Sequence, residues 1–160
     1  MSDDGVRIVT LEPMQVVSFH GFGSSPEYEA MEKLIAWAKP RGLLGGERTG
    51  RVFGFNNPDP SPGSPNYGYE FWLEVGPEVS IGDEVEVKRF PGGLYAVLRC
   101  HALPDGANIF DTWQKLASWQ AASRYGHRRQ RQWLEEHIGP LAEEGSAFTL
   151  DLYLPISEEG

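Results

Sequence analysis

The chain has 160 residues and a net charge of −9, with 14 Lys and Arg against 23 Asp and Glu. That length suits one domain with a real core and is too short for two ordinary ones, and the acidity disfavours a duplex-binding surface, which needs many phosphate contacts. Cys100 is the single cysteine, which excludes an internal disulfide framework and a cysteine zinc site and makes reducing cytoplasm the default compartment.

The acidic start, Met1 to Gly5, has no apolar run behind it, and no later stretch is apolar for long enough to cross a bilayer. The expectation is an unexported protein without a membrane partner. Arg128, Arg129 and Arg131 form the only dense basic cluster, so direct nucleic-acid binding is not expected.

Val6 to Leu11 is β-branched and partly alternating, is interrupted at Glu12-Pro13, and resumes from Gln15 to Phe19, which predicts an interrupted strand. Gly21 to Pro26 reads as a loop ending in a helix start, with Ser25 as cap, Pro26 in the first turn, and Glu27 and Glu29 complementing the dipole. Met31, Leu34, Ile35 and Ala38 recur at helical spacing and are expected core, and Pro40 with Gly42 closes the element. Arg51 to Asn56 is a predicted strand, followed by an exposed loop rich in Ser, Gly and Pro. Tyr69 to Val75 alternates cleanly, with Glu70, Trp72 and Glu74 on one face and Tyr69, Phe71, Leu73 and Val75 on the other.

Gly76 to Asp83 carries turn residues and reads as a connector. Glu84 to Phe90, the turn Pro91-Gly92-Gly93, and Leu94 to Cys100 repeat the arrangement of the N-terminus. Asp105 or Asn108 can cap a helix running to about Tyr125, with Ile109, Trp113, Leu116, Ala117 and Gln120 along its buried stripe. Gln132 to Ile138 suits helix and strand equally by local propensity. Gly139-Pro140 ends it, an acidic loop follows over 142–146, and Phe148 to Leu154 is a last alternating strand.

Internal repetition resolves the ambiguous run. Tyr69-Glu70-Phe71-Trp72-Leu73 lies over Leu150-Asp151-Leu152-Tyr153-Leu154 at an offset of 151 − 70 = 81, and the same offset lays the strand Arg51 to Asn56 on Gln132 to His137. The run is therefore expected as a strand. The prediction is a single α+β domain over 1–160, built of duplicated βαββ halves at about 6–76 and 84–156. Their two antiparallel sheets each carry a helix on one face and enclose a central ligand pocket with the other. Glu135, Trp133 and His137 are expected to share that pocket face with Trp72, Tyr153, Glu70 and Asp151. Glu70 and Asp151 can equally be solvated strand residues.

Phe53-Gly54-Phe55-Asn56-Asn57-Pro58, Pro91-Gly92-Gly93-Leu94-Tyr95-Ala96-Val97, Leu134-Glu135-Glu136-His137 and Asp151-Leu152-Tyr153-Leu154-Pro155-Ile156 resemble, in this order, four signature stretches of the GyrI-like small-molecule-binding domain, also called the bacterial effector-binding domain. The resemblance spans about Val6 to Ile156. It implies a duplicated βαββ fold with a central pocket and a buried acid, mapped onto Glu135, that takes lipophilic and often cationic compounds. His137 stands where that family usually has tyrosine.

A carboxylate among aromatic rings suits a desolvated cation, each ring face adding roughly 0.5 to 2 kcal/mol. Capture of lipophilic or cationic small molecules is thus the first functional expectation. The same Glu135 could serve as general acid or base, and some members of the family resemble hydrolases that open strained cyclopropanes in DNA-alkylating natural products, which makes an enzyme the second. A protein partner, DNA gyrase or a separate transcription regulator, is the third. Trp37, Trp113 and Trp119 read as packing. His20, His101 and His127 have no metal-ligand spacing, so no metal or cofactor is expected.

Overall fold

Runs of β-branched and aromatic residues broken by Gly and Pro dominate the chain, and in the computed structural model the described residues form nine strands and two helices. Residues 5–44, 50–57, 59, 61–77, 79, 81–127, 131–138 and 147–158 are described. The elements are β1 (Arg7–Leu11), β2 (Met14–Gly23), α1 (Pro26–Ala38), β3 (Val52–Asn56), β4 (Tyr67–Glu74), β5 (Glu86–Phe90), β6 (Gly93–Ala102), α2 (Ile109–Ala122), β7 (Gly126–His127), β8 (Leu134–Ile138) and β9 (Phe148–Ser157), with a short 3-10 turn at Lys39–Arg41. The acidic loop at 142–146, the stop at Gly139-Pro140, and Arg128 and Arg129 of the basic cluster lie outside the described residues.

The chain divides into two units, Met14–Phe90 and Met1–Pro13 with Pro91–Gly160. In Met14–Phe90 the antiparallel order is β3-β4-β2-β5. Phe19, Phe71 and Leu73 lie on the α1 side, where the Phe19 and Trp37 rings meet at 5.9 Å. α1 buries Pro26, Ala30, Leu34, Trp37 and Ala38, so the inward stripe takes in Trp37, while Met31 and Ile35 stay half-buried. Ser25 occupies the N-cap without a side-chain hydrogen bond, and β2 continues through Gly21 to Gly23 where a loop was expected. Gly21 has a steric reason: a Cβ there would fall on the Pro26 carbonyl.

In the other unit the order is β1-β6-β9-β8, and β7 also pairs with β9. Even-numbered residues of β6 and β9, among them Ala96, Leu98, Leu150, Leu152 and Leu154, pack with Leu116 of α2. Leu116 is the one buried residue of α2. Ile109 and Trp113 are half-buried and Ala117 is exposed, so the expected buried stripe is narrower than its spacing suggested. Asn108 is the N-cap but makes no side-chain cap bond; its amide closes the preceding loop, accepting from the Leu103 N–H and donating to the His101 carbonyl.

Each unit thus contains a βαββ core, β2-α1-β3-β4 or β6-α2-β8-β9, as expected for an α+β fold. The outer strands are exchanged relative to the expected halves. β1 pairs with β6 and β5 with β2. Register matches at the sequence offset: Phe53 faces Trp72 in one unit, Leu134 faces Tyr153 in the other.

Candidate functional site

Directly opposed residues of an antiparallel pair project to the same face, so the β8–β9 register decides which acid meets which ring. Leu134 opposes Tyr153, Glu135 opposes Leu152, Glu136 opposes Asp151 and His137 opposes Leu150. Leu150 and Leu152 belong to the core beneath α2. Glu135 and His137 therefore project to the α2 side, and Trp133 packs against that same core. This corrects the expectation that Glu135, Trp133 and His137 share a face with Tyr153 and Asp151; the run is a strand, but its parity is the opposite one.

The helix-free face of this unit carries two acids, Glu136 and the Asp151 directly opposite it, and Glu136 is the one beside the aromatic rings. It is buried, and the Tyr153 hydroxyl donates to its Oε1 at 2.7 Å. Tyr153 meets Tyr95 edge to face at 5.6 Å, and Tyr95, Val97 and Leu134 beside them are also buried. Asp151 lies next along the face. Burial alone would raise its pKa, but hydrogen bonds from Arg99 and Arg7 outweigh that and hold the carboxyl below its ordinary value.

On the α2 side, Glu135 accepts from the Trp113 indole N–H at 3.2 Å. Trp113 and Trp133 rings lie 5.3 Å apart, and the His127 ring stands edge-on to Trp133 at 5.2 Å. Trp113, read from sequence as packing, is thus also a polar tie between α2 and β8.

In Met14–Phe90, Glu70 and Trp72 do share the helix-free face, with Ser18, Phe53, Phe55 and Lys88. Glu70 is 2% exposed and accepts from Ser18 Oγ, Asn57 Nδ2, Trp72 Nε1 and Lys88 Nζ at 2.6 to 2.9 Å. Burial would raise its pKa; these donors, Lys88 first, bring it below the usual value. The Glu70 carboxylate also orients the Trp72 indole, whose ring meets Phe55 at 4.8 Å and Phe90 at 5.4 Å.

The sequence reading missed Glu136, and the signal for it was present. The offset of 81 that places Tyr153 over Trp72 also places Glu136 over Phe55 and Glu135 over Gly54. Phe55 faces Glu70, whereas Gly54 lies on the α1 side, where a Cβ would fall on the Tyr69 ring. Among the described residues no group of three or more His, Cys, Asp or Glu could hold a metal ion, and no helix is long and apolar enough to cross a membrane.

Comparison with known proteins places this geometry in context. Residues 7–156 match the family described as Cass2, integron-associated effector binding protein. No curated protein matches the chain. Among solved structures, a hydrolase from Listeria innocua superposes with a TM-score of 0.67 at 13% identity, over 96% of this chain and 92% of that one. The integron cassette protein VCH_CASS2 from the mobile metagenome of Vibrio cholerae gives 0.58 at 14%, over 95% of each chain. SAV2435, solved bound to tetraphenylphosphonium, gives 0.56 at 9%, over 95% and 93%. These likenesses show a common fold.

Proposed function

The chain belongs to the integron-associated effector-binding protein family, and we propose that it captures lipophilic compounds, organic cations among them, with Glu136 and Tyr153 at the centre of the ligand contact. The observation that carries this reading is the buried hydrogen bond from Tyr153 to Glu136 on a sheet face of aromatic and aliphatic side chains. A carboxylate withdrawn from water is costly to bury, and a lipophilic cation brought against it gains charge complementarity while its apolar groups leave water. A fold relative bound to tetraphenylphosphonium supports the ligand class.

The remaining residues take supporting roles in this proposal. Glu70 holds the Trp72 ring in orientation, and Asp151 ties Arg99 and Arg7 to the face beside Glu136. Glu135, with Trp113, Trp133 and His137, braces β8 from the α2 side.

Calorimetric titration with tetraphenylphosphonium and the neutral triphenylphosphine oxide tests the assignment. Glu136→Gln keeps shape and hydrogen-bonding capacity, so cation affinity should fall about tenfold or more, about 1.4 kcal/mol, while neutral binding stays. Glu135→Gln should leave both within about twofold. Loss of cation affinity in Glu135→Gln and not in Glu136→Gln contradicts the proposal.

A second reading is favoured by the same pair. A carboxylate held by a phenol can act as general base, taking a proton from water as the water oxygen attacks a strained ring carbon. The breaking carbon–carbon bond leaves its electron pair on the conjugated part of the substrate, which is then protonated. The fold relative described as a hydrolase is compatible with such chemistry. Incubation with a cyclopropane-bearing electrophile distinguishes the readings: an enzyme yields a ring-opened, hydrated product that Glu136→Gln does not form, and a binder returns the compound intact.

A further inference from the structure

We propose that Arg131 is a positioning residue, anchoring the segment that leads into β8 and so setting where Glu136 stands against Tyr153. The proposal rests on the reading of Glu136 as the ligand-contacting acid. Gln132 and Trp133 precede the β8–β9 ladder, which begins at Leu134 opposite Tyr153. Two side chains, those of Arg131 and Tyr95, hold this lead-in to the sheet. Arg131 donates through one guanidinium nitrogen to the Leu94 carbonyl of β6 at 2.7 Å and to the Ile156 carbonyl of β9 at 3.4 Å. From the sheet, the Tyr95 hydroxyl donates to the Gln132 carbonyl at 2.7 Å.

The guanidinium also lies over the Tyr95 ring, 5.5 Å from its centre. Its space is reserved by Gly93, whose φ of 141° disfavours any side chain and where a Cβ would fall on the guanidinium. Tyr95 is fully buried, and burial raises its pKa against the opposing pull of Arg131, so it remains a protonated donor to Gln132. Its ring continues the path, edge to face with Tyr153, whose hydroxyl reaches Glu136. A planar cation that donates to carbonyls of two strands and stacks on a ring is a task for arginine; the point charge of lysine does not reproduce it.

The test uses the full chain and Arg131→Lys, with Tyr95→Phe as a second variant that keeps the ring and removes the bond to Gln132. The expected result is an affinity for tetraphenylphosphonium lowered about fivefold, with triphenylphosphine oxide binding within about twofold of wild type. In a Glu136→Gln background Arg131→Lys should then have no further effect on the cation, because its influence runs through Glu136. Equal losses for both ligands, or an undiminished loss in the Glu136→Gln background, overturn the proposal. If Arg131→Lys does not fold, the same two comparisons are made on Tyr95→Phe.

Wild type binding neither probe would remove the functional reading, and a ligand-free measurement then decides the positioning role alone. A crystal structure of ligand-free Arg131→Lys should show the Glu136 carboxylate drawn away from the Tyr153 hydroxyl, with the Trp113–Glu135 hydrogen bond unmoved. A Tyr153–Glu136 hydrogen bond kept at the wild-type 2.7 Å overturns the positioning role whatever the ligand results.

Discussion

Glu70 and Glu136 are both buried carboxylates, and the partners of Glu70 are of several kinds. Glu70 gathers an ammonium, a hydroxyl, an amide and an indole. That constellation depresses its folded pKa, so its contribution to stability is complete above the unfolded value of 4.5 and is lost as pH falls through the lower folded value. Lys88→Met removes the cation from this set. It should cost about 2 kcal/mol near neutrality and progressively less in acid, once Glu70 is protonated in both states. Urea melts at about pH 7 and about pH 3 check this; an equal loss at both would show that the ammonium acts only by packing. Asp151, also depressed by its arginines, should give Arg99→Met the same sign of pH dependence, with a smaller effect because the Arg99 side chain is 47% exposed.

At the scale of elements, the two helices differ in how firmly they are seated. α1 buries five residues and α2 one, so amides of α2 should exchange with solvent faster than those of α1 under native conditions. Equal protection would contradict this. Leu34→Ala and Leu116→Ala should each cost about 2 to 5 kcal/mol, since both side chains are fully buried. Strand and helix positions were largely readable from periodicity, including β8, where repetition overruled an undecided propensity. The parity of β8 was misread because an acid between Trp133 and His137 looked like a site, and the offset that lays Glu135 on Gly54 was not followed through; the pairing of Leu134 with Tyr153 shows that this face belongs to α2. Burial of the nominally polar face of β4 was equally hidden. Glu70 is satisfied by Ser18, Asn57 and Lys88, partners that no local pattern connects to it.

For the whole molecule, chain order and unit membership part company at β1, which joins the unit that resumes at Pro91. β1 completes the sheet edge next to β6, and β5 the edge next to β2. Deleting residues 1–11 should therefore raise hydrogen exchange in β6 while leaving β2 protected; the opposite pattern would mean that β1 supports the unit nearest it in sequence. The alternating runs disclosed a βαββ unit occurring twice, but not this exchange, because β1 and β5 carry similar strand signals and nothing local assigns their partners. Family membership and fold make small-molecule capture the function to test, and the position of Glu136 is its central claim. The most direct measurement is a crystal structure of the protein with tetraphenylphosphonium. The account predicts the cation on the helix-free face of β8 and β9, its phenyl groups against the Tyr153 ring and its charge toward Glu136. A cation seated instead on the α2 side, against Glu135, Trp113 and Trp133, would contradict it.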